Sequence, residues 1–209
     1  NWSSAQTQNV EVATRPVVIN EIAWMGTSAD RSEDEWVELY NPTGKTINLA
    51  NWVLRSATNN TPYISLSKSI AAGGYFLLER TNDTTISDII AGQIYTGSLV
   101  NGGEVLELSK ASTTIDKTPA VNACSGWCGG DDNPNYYSME RYDPLASGEN
   151  SGNWGTWAGF LPNGKNADNA NINGTPGKRN SINYYIDKTG TSLGASKTLK
   201  KSSSPYLIP

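Results

Sequence analysis

The feature that most restricts this chain is the alternation in Glu35-Trp36-Val37-Glu38-Leu39-Tyr40-Asn41, where Val37 and Leu39 share one parity and Trp36, Glu38 and Tyr40 the other. Successive side chains of a strand point to opposite faces, so this is a β-strand with one buried face; on a helix Val37 and Leu39 would diverge. The run Val17-Val18-Ile19-Asn20-Glu21-Ile22-Ala23-Trp24-Met25-Gly26 precedes it, and Asn48-Leu49-Ala50-Asn51-Trp52-Val53-Leu54 follows, with Trp52 and Leu54 again on one parity. Three short β-like runs in this order predict an all-β sandwich.

The rest of the chain keeps to that class. Candidate strands fall at 16–25, 35–41, 52–56, 63–67, 75–80, 93–96, 104–110, 113–116 and 136–142, with turn residues between them. Ala72-Gly73-Gly74 and Asn101-Gly102-Gly103 supply permissive backbone where the chain must reverse. A short helical turn is expected at 84–90, capped by Asp83. Seven Trp and ten Tyr compensate for a modest aliphatic content, since each aromatic buries about 150–250 Å².

Residues 1–15 read as a polar leader, 16–180 as the sandwich domain with long loops from 143 onward, and 181–209 as an irregular linker or tail rich in Ser and Lys. A chain that opens on Asn1 and closes on Pro209 is expected to be one piece of a larger protein. The net charge is −4, with all but one of the acids within 1–180. Such an acidic body lacks the clustered Lys and Arg that nucleic-acid binding needs. No apolar run approaches the roughly 18–20 residues of a membrane span.

Taken together, Ile19-Asn20-Glu21-Ile22, Glu35 to Asn41, Leu49 to Leu54 and Ile70-Ala71-Ala72-Gly73-Gly74-Tyr75 resemble the lamin tail domain, in the version found in bacterial surface and secreted proteins. Gly97 to Leu108, Ser138-Met139-Glu140-Arg141 and Gly174-Thr175-Pro176-Gly177 resemble its later segments, so the likeness covers roughly 16–180. The resemblance implies an immunoglobulin-like β-sandwich in which Val37, Leu39, Trp52, Leu54, Leu106 and Leu108 face inward, and a role in binding or anchoring without catalytic residues. This chain lacks a lamin's coiled-coil rod, so filament formation does not carry over.

Several residue groups invite a chemical role. There is no His anywhere, which excludes a serine or cysteine hydrolase with a His base and any His-bearing zinc site. A glycosidase-like pair could only come from carboxylates such as Glu38 and Glu107, and alternation places both on the outer, solvated face. Asp131, Asp132 and Asn133 gather oxygen ligands of the kind calcium uses, as does the loop 30–35, though neither has EF-hand spacing; a solvated charged loop is the plainer reading. Cys124 and Cys128 read as a disulfide across a short loop, with two free thiols as the alternative in a reducing compartment. Trp2, Tyr136, Tyr137, Trp154 and Trp157 stand outside the core pattern: they either stack on a sugar or protein ligand, or cap one end of the sandwich.

These observations lead to a non-enzymatic extracellular or cell-surface module, with no obligatory cofactor, that binds a protein or a glycan. A carbohydrate-binding module and an accessory domain of a secreted nuclease or other hydrolase are the alternatives.

Overall fold

In the computed structural model, which describes residues 15–183, two β-sheets face one another across an apolar core. The strands in chain order are β1 (Val18–Ala23), β2 (Trp36–Tyr40), β3 (Ile47–Asn48), β4 (Trp52–Ser56), β5 (Tyr63–Ser65), β6 (Ser69–Ile70), β7 (Tyr75–Arg80), β8 (Gln93–Tyr95), β9 (Leu106–Lys110), β10 (Thr113–Lys117), β11 (Met139–Arg141) and β12 (Trp154–Thr156). One sheet runs β12-β11-β1-β2-β7-β8, the other β10-β9-β4-β5, and β3 with β6 forms a small separate ribbon. Every pairing is antiparallel except β7 with β8. That parallel pair needs a crossover, which residues 81–92 supply.

Register explains the core. Met139, Ile22, Val37 and Leu78 lie opposite one another across four strands of the larger sheet, and Leu108, Leu54 and Ile64 do the same in the smaller one. All six residues expected to face inward are buried. Trp52 is among the largest of them, so Trp52→Ala is expected to cost about 3–5 kcal/mol through the cavity it leaves. Denaturant melts of the variant measure this, and a loss under about 1 kcal/mol would contradict the burial of Trp52 in the core.

All nine expected strands are present, most of them shortened at their ends. Three expectations need correction. Residues 83–88 form turns rather than a helical segment, and Asp83 accepts its hydrogen bond from Ala91 N (2.8 Å), far from any helix start. Strand β12 lies in the stretch expected to be only loop; it completes the larger sheet by pairing with β11. Packing also runs past residue 180, because Ser181 and Ile182 are buried in a 3₁₀ turn over Ser181–Asn183. The leader over 1–14, with Trp2, and the tail over 184–209 lie outside the described residues.

Candidate functional site

Glu140 of β11, Glu21 of β1 and Glu38 of β2 lie directly opposite one another on three adjacent strands. All three are fully buried. For Glu38 this corrects the expectation of a solvated carboxylate: the parity is right, since Glu38 points away from Val37 and Leu39, but that outer face is covered by the segment from Gly174 to Ile182. A bulge sets the register here, because the pairing steps from Ile19 opposite Leu39 to Glu21 opposite Glu38 and leaves Asn20 as the extra residue. Asn20 uses its amide to hold both Glu38 Oε1 (2.9 Å) and Asn180 Oδ1 (2.8 Å).

The covering segment has almost no regular structure, so its backbone donors need other acceptors. The carboxylates supply them. Glu21 Oε1 accepts from Thr175 N (2.8 Å) and Ser138 Oγ (2.6 Å), and Glu38 Oε2 accepts from Gly177 N. Glu140 takes Ser181 N (3.0 Å), Ser181 Oγ (2.8 Å) and Ile182 N (3.0 Å). Gly174 passes so close that a Cβ there would stand 2.7 Å from Glu21 Oε1 and 2.8 Å from Ser138 Oγ, so a larger residue would have to push these buried side chains aside.

Thr175 Oγ1 lies 2.9 Å from Glu21 Oε2 and 2.8 Å from Glu140 Oε1. A hydroxyl has one proton to give, so one of these two carboxyls must donate in return. Burial, with the charges of Glu140 and Glu38 beside it, lifts the Glu21 pKa well above the usual carboxylate range. Burial raises Glu140 as well, so a proton held by this pair completes the link through Thr175. Burial also pushes Glu38 up to about 8, against the Gly177 and Asn20 hydrogen bonds that pull it down.

On the other parity of β11, Arg141 is fully buried and pairs with Asp116 of β10 across the two sheets. Its guanidinium also donates to the carbonyls of Ile19 (2.8 Å), Ala146 (2.6 Å) and Asp143 (3.2 Å). Further along, Glu35 holds Leu99 N (2.8 Å) and Arg80 (3.2 Å), and burial raises it to about 7. These groups fasten the fold.

The residues picked out as ligand contacts divide. Trp154 is only 4% exposed: its indole donates to Gly148 O (2.7 Å) and Arg141 lies over its ring. Trp157 is buried too, with Tyr137 packed edge-on against it at 5.1 Å. Trp154 belongs to strand β12 and packs into the core, and Trp157 is covered beside Tyr137, so neither stands as an exposed ring. Tyr136 and Tyr137 are half-buried. Asp131 pairs through its backbone with Tyr137 and accepts from Asn135 Nδ2 (2.7 Å), while Asp132 and Asn133 are exposed in the turn between. In the loop 30–35, Asp34 and Glu35 are buried and Arg31 pairs with the distant Asp168.

Cys124 and Cys128 are joined as a disulfide. The loop they close carries Trp127, which stacks on Trp24 and donates to Val100 O (2.9 Å). So short a loop removes little unfolded-chain entropy, and replacing both cysteines with Ser is expected to cost about 2 kcal/mol at most. Denaturant melts check the cost, and non-reducing peptide mapping of natively produced material should show the bridge; two alkylatable thiols there would contradict it.

The outer face of the smaller sheet is different, since no segment among the described residues seals it. Lys117, Glu107, Arg55 and Tyr63 stand in one cross-strand rank, and Thr114, Ser109, Val53 and Ser65 in the next. Glu107 does face outward as expected, but it is clamped by Arg55 (2.8 Å) and Lys117 (3.6 Å) rather than freely solvated. Partial burial acts to raise its pKa, but Arg55 and Lys117 outweigh it and hold the carboxyl below its ordinary value.

The lamin tail domain family model matches residues 11–123, just over half of the chain. The chain belongs to the lamin tail domain family. A search of curated proteins finds no match. The immunoglobulin-like sandwich of this lamin tail domain is finished by residues beyond the matched span: β11 and β12 extend the larger sheet, and 174–182 seal its outer face. Among the described residues no helix is long and apolar enough to cross a membrane.

Proposed function

We propose that this lamin tail domain is a non-catalytic binding or anchoring module of a larger secreted or surface protein. The observation that carries the reading is the contrast between the two outer faces, one sealed by residues 174–182 and one that no segment covers among the described residues. Function resides in sites presented by a scaffold, and an uncovered sheet face on a well-packed sandwich is such a presentation. The carboxylates with shifted pKa do not argue for catalysis, because Glu21, Glu38 and Glu140 spend their oxygens on the chain's own donors beneath the covering segment. The Cys124–Cys128 bridge supports an oxidising compartment. A protein or a glycan at the cell surface is the partner class.

The test pairs turnover with binding. The purified chain, offered panels of glycosides, phosphodiesters and peptides, is expected to turn over none, and to bind isolated cell envelope saturably. Turnover abolished by one carboxylate substitution that spares the fold would overturn the proposal.

A further inference from the structure

We infer that the outer face of the four-stranded sheet binds a linear anionic glycan. The inference deepens the binding-module reading and rests on it. The face forms a trough of about 750 Å³, within the size range of small-ligand sites. Its floor is small and polar, with Ser65 and Ser109 on either side of Val53, and its wall is the rank that ends in Tyr63, whose side of the sheet leaves it 54% exposed. Hydroxyls in the floor match the hydroxyls of a sugar, and an exposed Tyr ring offers the apolar face on which a pyranose stacks. Strands lie about 4.8 Å apart, so a rank of four spans roughly 14 Å, room for an oligosaccharide laid across the strands.

Charge complementarity selects an acidic chain. Residues 1–180 carry 19 acids against 12 bases by the sequence, yet this face reverses the sign: Arg55 and Lys117 share the single carboxylate of Glu107, and Lys68 stands at the rim. Glu107 also holds the Arg55 guanidinium in place, so its free N–H groups are oriented before a ligand arrives.

A peptide is less suited. Strand addition at β5 is blocked because Gln93 of the other sheet already bonds Ser65 O (2.9 Å) and Ser67 N (3.1 Å). The trough offers a peptide anchor little apolar depth, because the larger apolar residues that line it besides Val53 and Tyr63, Trp52 and Leu66, are buried in the core.

Affinity electrophoresis of the full chain through gels containing dextran, dextran phosphate or polygalacturonate tests this, with titration calorimetry against the polymer that retards it. Retardation by polygalacturonate or dextran phosphate but not by dextran is expected, and which of the two acts shows whether carboxylate or phosphate is read. Binding should weaken in 0.5 M salt. Tyr63→Ala is expected to weaken it at least fivefold with an unchanged melting temperature, and Arg55→Gln at least fivefold with only the small loss of stability that a partly exposed ion pair carries; should Arg55→Gln fold poorly, Lys117→Gln replaces it. Equal retardation by plain dextran, no retardation by either acidic polymer, or binding untouched by these variants would overturn the inference. Equal binding of poly-glutamate would overturn the glycan class and leave a site for any polyanion. None of these results bears on the non-catalytic reading, which fails only on turnover.

Discussion

Raising the pH from about 5 to 8 is expected to destabilise this protein. Burial lifts Glu35 to about 7 and Glu38 and Glu79 to about 8 in the folded chain, whereas in the unfolded chain each titrates near 4.5. Between those limits the folded state holds protons that the unfolded state has released, so each group contributes stability at acid pH that is lost as pH rises toward its folded pKa. The slope for one such group is about −1.4 kcal/mol per pH unit. Glu21 adds to the same trend, its pKa being raised well above the ordinary value. Glu107, held low by Arg55 and Lys117, works in the opposite sense, losing its contribution only as pH falls through its folded pKa. Stability is thus expected to peak near pH 5. Thermal melts at pH 5, 6, 7 and 8 and fixed ionic strength check it, and Glu38→Gln should flatten the slope by one group's share. A melting temperature that is constant or rises from pH 5 to 8 would mean that these carboxyls are ionised in the folded state.

Why the buried carboxylates escaped a reading of the sequence is instructive. Alternation identifies the two faces of β2 and places Glu38 opposite Val37 and Leu39, but it cannot tell what covers the second face. The cover is supplied by Thr175, 154 residues beyond Glu21, in a stretch with no periodicity. One signal was available: Val17-Val18-Ile19-Asn20-Glu21-Ile22-Ala23-Trp24 is nearly continuous in apolar residues, the mark of a strand buried on both faces, and Asn20 with Glu21 sits in its middle. The inward positions were legible because Leu54, Leu106 and Leu108 declare themselves locally. Strand β12 was not, since Trp154-Gly155-Thr156 is too short to alternate. The open face was illegible for a different reason: Lys117, Glu107, Arg55 and Tyr63 come from four strands, and only their register makes them a rank.

Removing Arg141 is expected to be among the most damaging single changes. Its guanidinium spends all its donors inside the protein, on both oxygens of Asp116 and on three backbone carbonyls, while Trp154 packs against its plane. Arg141→Met keeps much of the volume and deletes the charge. It leaves Asp116 buried with Ile19 N (2.9 Å) and the more distant Arg15 (3.6 Å), and strands three carbonyls that had been satisfied. Breaking one partner of a buried pair costs about 3–5 kcal/mol. Asp116→Leu removes the complementary charge and should cost less, because Arg141 retains its carbonyl acceptors. The double variant should then be far less unstable than the sum, since much of each single loss is the penalty of an unmatched buried charge. Denaturant melts of the four proteins close the cycle. Additive losses would mean that the two side chains do not sense each other, and that the join between the sheets at this edge depends on packing around Trp154 and Ile19 instead.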